Sequence, residues 1–216
     1  MKDKPSEWVA ISDLMSGVMA VVMLLLVVSV LQKSVSEAKQ KIEGSKGYEA
    51  KKSAVVKTLQ NIQADLDKNG GGSLVSFDMR SLKMTLPDKL FSHSSACIPT
   101  EERDKFITVS RSVHDLLEKN PEITIYVDGH TDNTAVARPV TDFQRFCTVY
   151  DDNYTLSAAR AREVRKLIAN NFPENLSKRI IVAGYGDSRP LRGIPLDSGA
   201  NRRVEIHLSI EKNGDL

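Results

Sequence analysis

From Leu14 to Gln32 the chain runs 19 residues without one charged side chain. As a helix such a run is about 28 Å long, close to the hydrocarbon core of a bilayer. It is apolar on every side, so it does not suit the surface of a soluble domain. A cleaved signal is the competing reading, since Lys2 and Lys4 precede the run. The run exceeds the usual apolar stretch of a signal, about 7–15 residues. Only Ser34-Val35-Ser36 offers a weak cleavage site. A retained membrane anchor is therefore the expectation. Charge does not orient it: Lys33, Lys39, Lys41 and Lys46 follow the run, so the positive-inside rule does not favour an exported C-terminal domain. Long domains cross largely regardless of charge, which leaves export open.

The rest of the chain is ordinary. Of 216 residues, 27% are charged and 41% hydrophobic, so the apolar run is local, and the net charge of +2 comes from mixed signs. No basic patch with interleaved aromatics is present, so nucleic acid is not an expected partner. We divide the chain into a polar lead (1–8), a transmembrane helix (9–31), a helical linker (32–72), an α/β domain (73–210) and a tail (211–216). Trp8 suits the membrane interface. In the linker, Leu31, Val35, Ala38 and Ile42 form one helical stripe, and Val55, Leu59, Ile62 and Leu66 another; Gly44 and Gly47 are expected to weaken the helix between them. Asn69-Gly70-Gly71-Gly72 should end it.

Beyond residue 73, strands alternate with helices. SLVSFD and SLKMTLP read as strands with a turn near Met79-Arg80, and ERDKFITVSRSVHDLLEKN as one helix ended by Pro121. ITIYVDG, RIIVAGYG and RRVEIHLSI read as strands. LSAARAREVRKLIANNF reads as a helix with Ser157 as its N-cap. The pattern predicts a two-layer α/β domain with a mixed sheet.

Two places invite a chemical reading. The first is Asp13, at the mouth of the apolar run. Ser16, Gly17 and Ala20 lie on its helical face, and Ser12, Ser16 and Ala20 make a small-xxx-small row that lets helices pack closely in lipid. A solvated helix cap is the plain reading of Asp13. An ion carrier, with Ser16 as a further oxygen, is the other: a partly desolvated carboxylate can change charge as it meets water. The row Ala10-x-x-Asp13-x-Met15, then Met19-Ala20, resembles the membrane helix of MotB-type stator B subunits, and the resemblance implies that Asp13 binds the translocated ion.

The second place is Val127-Asp128-Gly129-His130-Thr131-Asp132. With Asn153-x-x-Leu156-Ser157-x-x-Arg160-Ala161, Gly184-Tyr185-Gly186, Pro190 and Asn201-Arg202-Arg203-Val204-Glu205-Ile206, it resembles the OmpA-like peptidoglycan-binding domains. The resemblance covers about residues 73–210 and implies a βαβαβ-type fold. A wall stem peptide ending in a diamino acid offers an ammonium beside a carboxylate. Asp132 can accept the first and the fork of Arg160 the second. By resemblance these are the binding pair, with Thr131, Asn153 and Leu156 shaping the pocket and Arg203 supporting the carboxylate side. Helix-start N–H groups near Ser157 would add anion affinity. Leu156, Gly129 and Gly186 also fit purely structural roles, Asn153 could instead hold a loop, and His130 is expected to pack. His93, His114 and His207 show no metal spacing, and two cysteines make no zinc site. GYG is no nucleotide loop. Neither a cofactor nor a metal is expected, and without a paired nucleophile and base the chain reads as a binder of the wall and not as an enzyme.

This sequence departs from the family between Asp132 and Asn153, which are 21 positions apart. The added stretch carries Cys147; Cys97 lies in FSHSSACIP, and in the implied fold both loops leave one sheet edge. A Cys97–Cys147 disulfide is expected, fitting an oxidising periplasm, with two buried free thiols as the alternative. The two resemblances together imply a stator B subunit of the bacterial inner membrane, with N-terminus cytoplasmic and C-terminal domain periplasmic. They imply a homodimer inside a ring of five multi-pass A-type subunits, and a transported ion, H⁺ before Na⁺, since sodium wants several oxygen ligands. The segment Gln32–Glu43 suits a plug, a zipper or a spacer. The short lead and cysteine loop look most like the B subunit of Zorya anti-phage defence motors. A flagellar or gliding stator, and a passive tether from inner membrane to wall, are the alternatives.

Overall fold

The computed structural model describes residues 7–210, with side chains throughout that range except at 7, 9, 10 and 40–46. Most of the lead and the tail 211–216 lie outside the described residues, as does the side chain of Ile42 in the first linker stripe. Two units are distinguished, one ending at Ala50 and the other starting at Lys51.

The first helix, α1, spans Glu7–Lys68 and so enters both units. In the first unit, Ile11–Lys39 is long and apolar enough to cross a membrane. Leu14, Val18, Val22, Leu25 and their neighbours are exposed all round it, as a lipid-facing helix requires. Gly44 and Gly47 do not interrupt the helix: the cost of about 1 kcal/mol per glycine is small beside the hydrogen bonds of the turns on either side.

In the second unit the stripe Val55, Leu59, Ile62 and Leu66 is buried to 1% exposure or less. These residues belong to the same core as the sheet and its helices. The latter part of the expected linker is thus core, and the compact unit begins at Lys51 and not at 73. The helix ends in a Schellman motif: Gly70 takes φ +70°, and the N–H groups of Gly71 and Gly70 donate to Leu66 O and Asp67 O.

The sheet strands are β1 (Ser76–Asp78), β2 (Lys83–Pro87), β3 (Ile123–His130), β4 (Ile180–Gly184) and β5 (Arg203–Ile210). Their order is β1-β2-β5-β3-β4, with β3 and β4 parallel and the other pairs antiparallel. The mixed α/β architecture expected from the sequence is present. Between β2 and β3 lie α2 (Thr100–Lys105) and α3 (Ile107–Lys119), read above as one helix. They divide at Phe106, which is 1% exposed and whose N–H donates to Arg103 O at 3.0 Å, a tighter bond than the α-helical one. Then follow α4 (Phe143–Phe146), α5 (Asn153–Ile168) and α6 (Glu174–Ser177).

Alternation sorts the sheet faces. Val127, Val204, Ile206, Met84 and Leu86 are buried in the core. The intervening Lys83, Asp128, His130, Arg203, Glu205 and His207 take the other face, joined by Lys83–Glu205 (2.7 Å), Arg203–Glu205 (2.7 Å) and His207–Asp128 (3.5 Å). Two glycines set the seat of α5. A Cβ at Gly129 would lie 2.0 Å from Ser157 O, and one at Gly184 would lie 2.6 Å from the Ala158 backbone nitrogen. Only bare backbone lets α5 approach β3 and β4 so closely.

Candidate functional site

The start of α5 differs from the expectation. Asp152, not Ser157, is the N-cap, its carboxylate accepting from Thr155 N at 2.6 Å. Ser157 lies in the second turn, donating to Tyr154 O and accepting from Gly186 N at 2.9 Å, so it staples the helix to the loop after β4. Helix-start N–H groups are therefore at Asn153–Thr155, and Arg160 stands deeper along the helix than its first turn.

A cleft of about 500 Å³ opens beside this helix. It gathers Thr131, Asp132, Asn153, Leu156 and Arg160, five of the six residues expected to meet the wall peptide, together with Asp88 and Arg202. Arg203 does not line it. With Val204 turned into the core, Arg203 takes the opposite sheet face, where it pairs with Glu205 and donates to Asn201 O. Arg202, just before the strand, lines the cleft where Arg203 was expected. Its Nη1 donates to Asp132 Oδ2 at 2.6 Å, and its Nε to Asp88 Oδ2 at 3.0 Å. Bonds to both carboxylates raise the pKa of Arg202 above its ordinary value.

Arg160 is 3% exposed. Its Nε donates to Ser95 O at 3.0 Å, its Nη1 is paired with Asp88 Oδ1 at 2.9 Å, and its guanidinium lies over the Phe91 ring. Burial lowers its pKa; Asp88 pulls in the opposite direction. Asp132 Oδ1 also accepts from Thr134 N at 3.1 Å. A carboxylate has about four acceptor directions, so Asp132 retains capacity beyond these two bonds. Asn153 serves the loop as well as the cleft, donating to Asp132 O and Thr134 O. Thr131 is 3% exposed and its hydroxyl oxygen has no hydrogen-bond partner among the described residues, although the residue lines the cleft. A buried hydroxyl in that state suits a site that a polar ligand completes.

The outer wall is the added segment. Thr134–Arg138, Val140, Phe146 and Tyr150 all line the cleft. Cys97 and Cys147 form a disulfide closing a separation of 50 residues, which in the chain-entropy model is worth about 4 kcal/mol. Ala96 N donates to Phe146 O at 3.0 Å and Tyr150 Oη to Ser94 O at 2.6 Å, so the wall is tied to the loop before α2 along its length.

His130 packs, as expected: it is 3% exposed and stacks on Tyr185, whose ring also lies against the Arg189 guanidinium. Burial, then the Arg203 charge, pushes its pKa down to about 4. His114, Asp115 and Glu118 approach one another on the outer face of α3, but none of them lines the cleft.

In the first unit, Asp13 follows six residues of helix, Glu7 to Ser12, and so is not its cap. Ser16 Oγ donates to Ser12 O at 2.8 Å, which leaves its oxygen lone pairs facing outward from that bond.

The two-layer α/β domain thus sets an acid, Asp132, and a buried guanidinium, Arg160, in one cleft. Residues 90–203 match the OmpA family, more than half of the chain, and the chain belongs to that family. It is 26% identical over 163 residues to motility protein B of Bacillus subtilis (strain 168), an alignment spanning 72% of this chain and 58% of that protein. The fold is similar to that of a MotB-like protein from Desulfovibrio vulgaris, with TM-score 0.54, 22% identity, and coverage of 74% of this chain and 96% of the other. A cell wall anchor of the T6SS from Pseudomonas aeruginosa aligns at 25% identity and TM-score 0.48, over 69% of this chain and 96% of that one.

Proposed function

We propose that this chain is the wall-anchored B subunit of an ion-driven rotary stator in a bacterial inner membrane. One pairing carries the reading: an acid set inside a membrane-length helix, on the same chain as an OmpA-family domain whose cleft gathers Asp132 and Arg160. The N-terminus is cytoplasmic and the Lys51–Leu216 unit periplasmic, where the Cys97–Cys147 disulfide is chemically at home.

In this reading the cleft takes the diamino-acid end of a peptidoglycan stem. The ammonium approaches the spare acceptor directions of Asp132, and the carboxylate meets Arg160. Arg202 stands on Asp132 much as an ammonium would and shifts toward Asp88 when the ligand enters. The domain holds the wall and does not cut it. Two copies stand within a ring of five multi-pass A-type subunits, and Asp13 carries a proton between that ring and water, with the Ser16 oxygen beside it. Na⁺ is the less favoured ion, because it wants more oxygens than these two residues supply. The segment 32–50 controls or spaces the pair. The inserted, disulfide-clamped wall sets the chain apart from the family's usual build and supports a motor of the Zorya anti-phage type over a flagellar one.

Two experiments bear on this. Purified peptidoglycan should retain the full chain in detergent, and Asp132→Ala with Arg160→Ala should cut retention at least tenfold. Arg160 is buried and paired, so Asp132→Asn with Arg160→Lys, checked by circular dichroism, guards against unfolding. Undiminished retention by folded variants contradicts the wall site. In cells, the complete system should lower phage plaque numbers without restoring motility to a stator-deficient strain; the reverse pattern assigns it to flagellar rotation.

A further inference from the structure

The charges in the cleft form two layers. The inner one comprises Asp88, Asp132, Arg160 and Arg202, joined at 2.6–3.0 Å. Two acids and two guanidiniums cancel, so this layer suits a zwitterionic group, which enters without adding net charge. The outer layer contains Arg138, which is exposed, lines the same cleft, and has no ion pair among the described residues. It leaves the cleft one positive charge in excess.

Arg138 is held at that position. Its segment is pinned at the start by Asn153 Nδ2 donating to Thr134 O at 3.0 Å. Two residues beyond it, Val140 and Tyr150 exchange backbone hydrogen bonds of 2.8 and 3.0 Å. The Cys97–Cys147 disulfide closes the far end. A cation on a clamped segment loses little freedom when it binds. Between Thr134 and Arg138 the wall consists of Ala135, Val136 and Ala137, small and apolar. The outer wall therefore presents an apolar strip ending in a planar, bidentate donor, which matches a second carboxylate carried by the ligand held inside.

Building on the wall-binding reading, we propose that Arg138 reads a second carboxylate of the same stem peptide, making the insertion 133–150 an outer subsite that selects stems with that carboxylate free. The stem offers two such groups: the α-carboxylate of its γ-linked glutamate, and the peptide's C-terminal carboxylate.

The test is calorimetric titration of the full chain in detergent with L-alanyl-γ-D-glutamyl-meso-diaminopimelate, with its glutamate α-amide, and with its C-terminal amide. One amide should bind the wild-type chain about tenfold more weakly than the parent peptide. Arg138→Ala should bind the parent about tenfold more weakly than wild type and bind that amide as wild type does. The amide that behaves this way identifies the carboxylate, and either identity supports the proposal. Arg138→Lys should recover part of the loss. If Arg138→Ala changes the affinity for all three peptides equally, or for none, the outer subsite is refuted while the wall site stands. If wild type binds none of them, the wall-binding reading falls and takes the subsite with it.

Discussion

His130 and Arg202 carry the lessons at the scale of the residue. His130 is buried against Tyr185 and close to Arg203, which push its pKa down to about 4 in the folded chain, against about 6.5 when unfolded. The unfolded chain then takes up the proton first on acidification. The stability this group contributes is present above pH about 6.5 and is lost as pH falls toward 4. Melting temperature should drop between pH 7 and 5, and His130→Gln should flatten part of that drop; an unchanged slope in the variant would exclude His130 as its source. Arg202 shows where the sequence misled. Val204, Ile206 and Leu208 alternate along the last strand and are buried on one face. Had the alternation been carried back, it would have put Arg203 on the face away from Arg160, leaving Arg202 at the strand mouth. Asp132, Thr131, Asn153, Leu156 and Arg160 were legible because the family's blocks fix their places on the loop and helix. Asp88 was not, because its role depends on the approach of a loop 44 residues earlier in the chain than Asp132.

For the elements, the informative one is α1. Its apolar run was plain from uncharged length alone, and the later stripe from its spacing of four, three and four. What spacing could not say is which surface the stripe covers. Leu59 is fully buried, so Leu59→Ala should cost about 3 kcal/mol of domain stability, through lost transfer energy and the cavity left behind. Chemical denaturation of the full chain, followed through the domain's near-UV signal, measures it. A freely hinged linker would give a change near zero, and that outcome would return the domain boundary to residue 73. The helix start at Asp152 was missed for a different reason. The Ser157 pattern is a family block inside the helix, whereas the true cap lies in the added segment, beyond the reach of the motif. Likewise the expected bond between Cys97 and Cys147 followed from the implied topology, while the wall it secures became visible only with the cleft.

At the scale of the whole molecule, the division of labour we propose is a domain that holds the wall so that an acid in the membrane stays fixed while a ring moves past it. Asp13 bears the weight of that account. The direct measurement is proton entry into cells co-expressing this chain with its multi-pass partner, read by a cytoplasmic pH indicator under an imposed inward gradient, for wild type and Asp13→Asn. An amide cannot exchange a proton in this range, yet it preserves size and helix. The account predicts loss of nearly all the partner-dependent flux in Asp13→Asn, with expression and co-purification of the complex unchanged. Wild-type flux through the Asp13→Asn complex would contradict it and leave a tether in place of a motor.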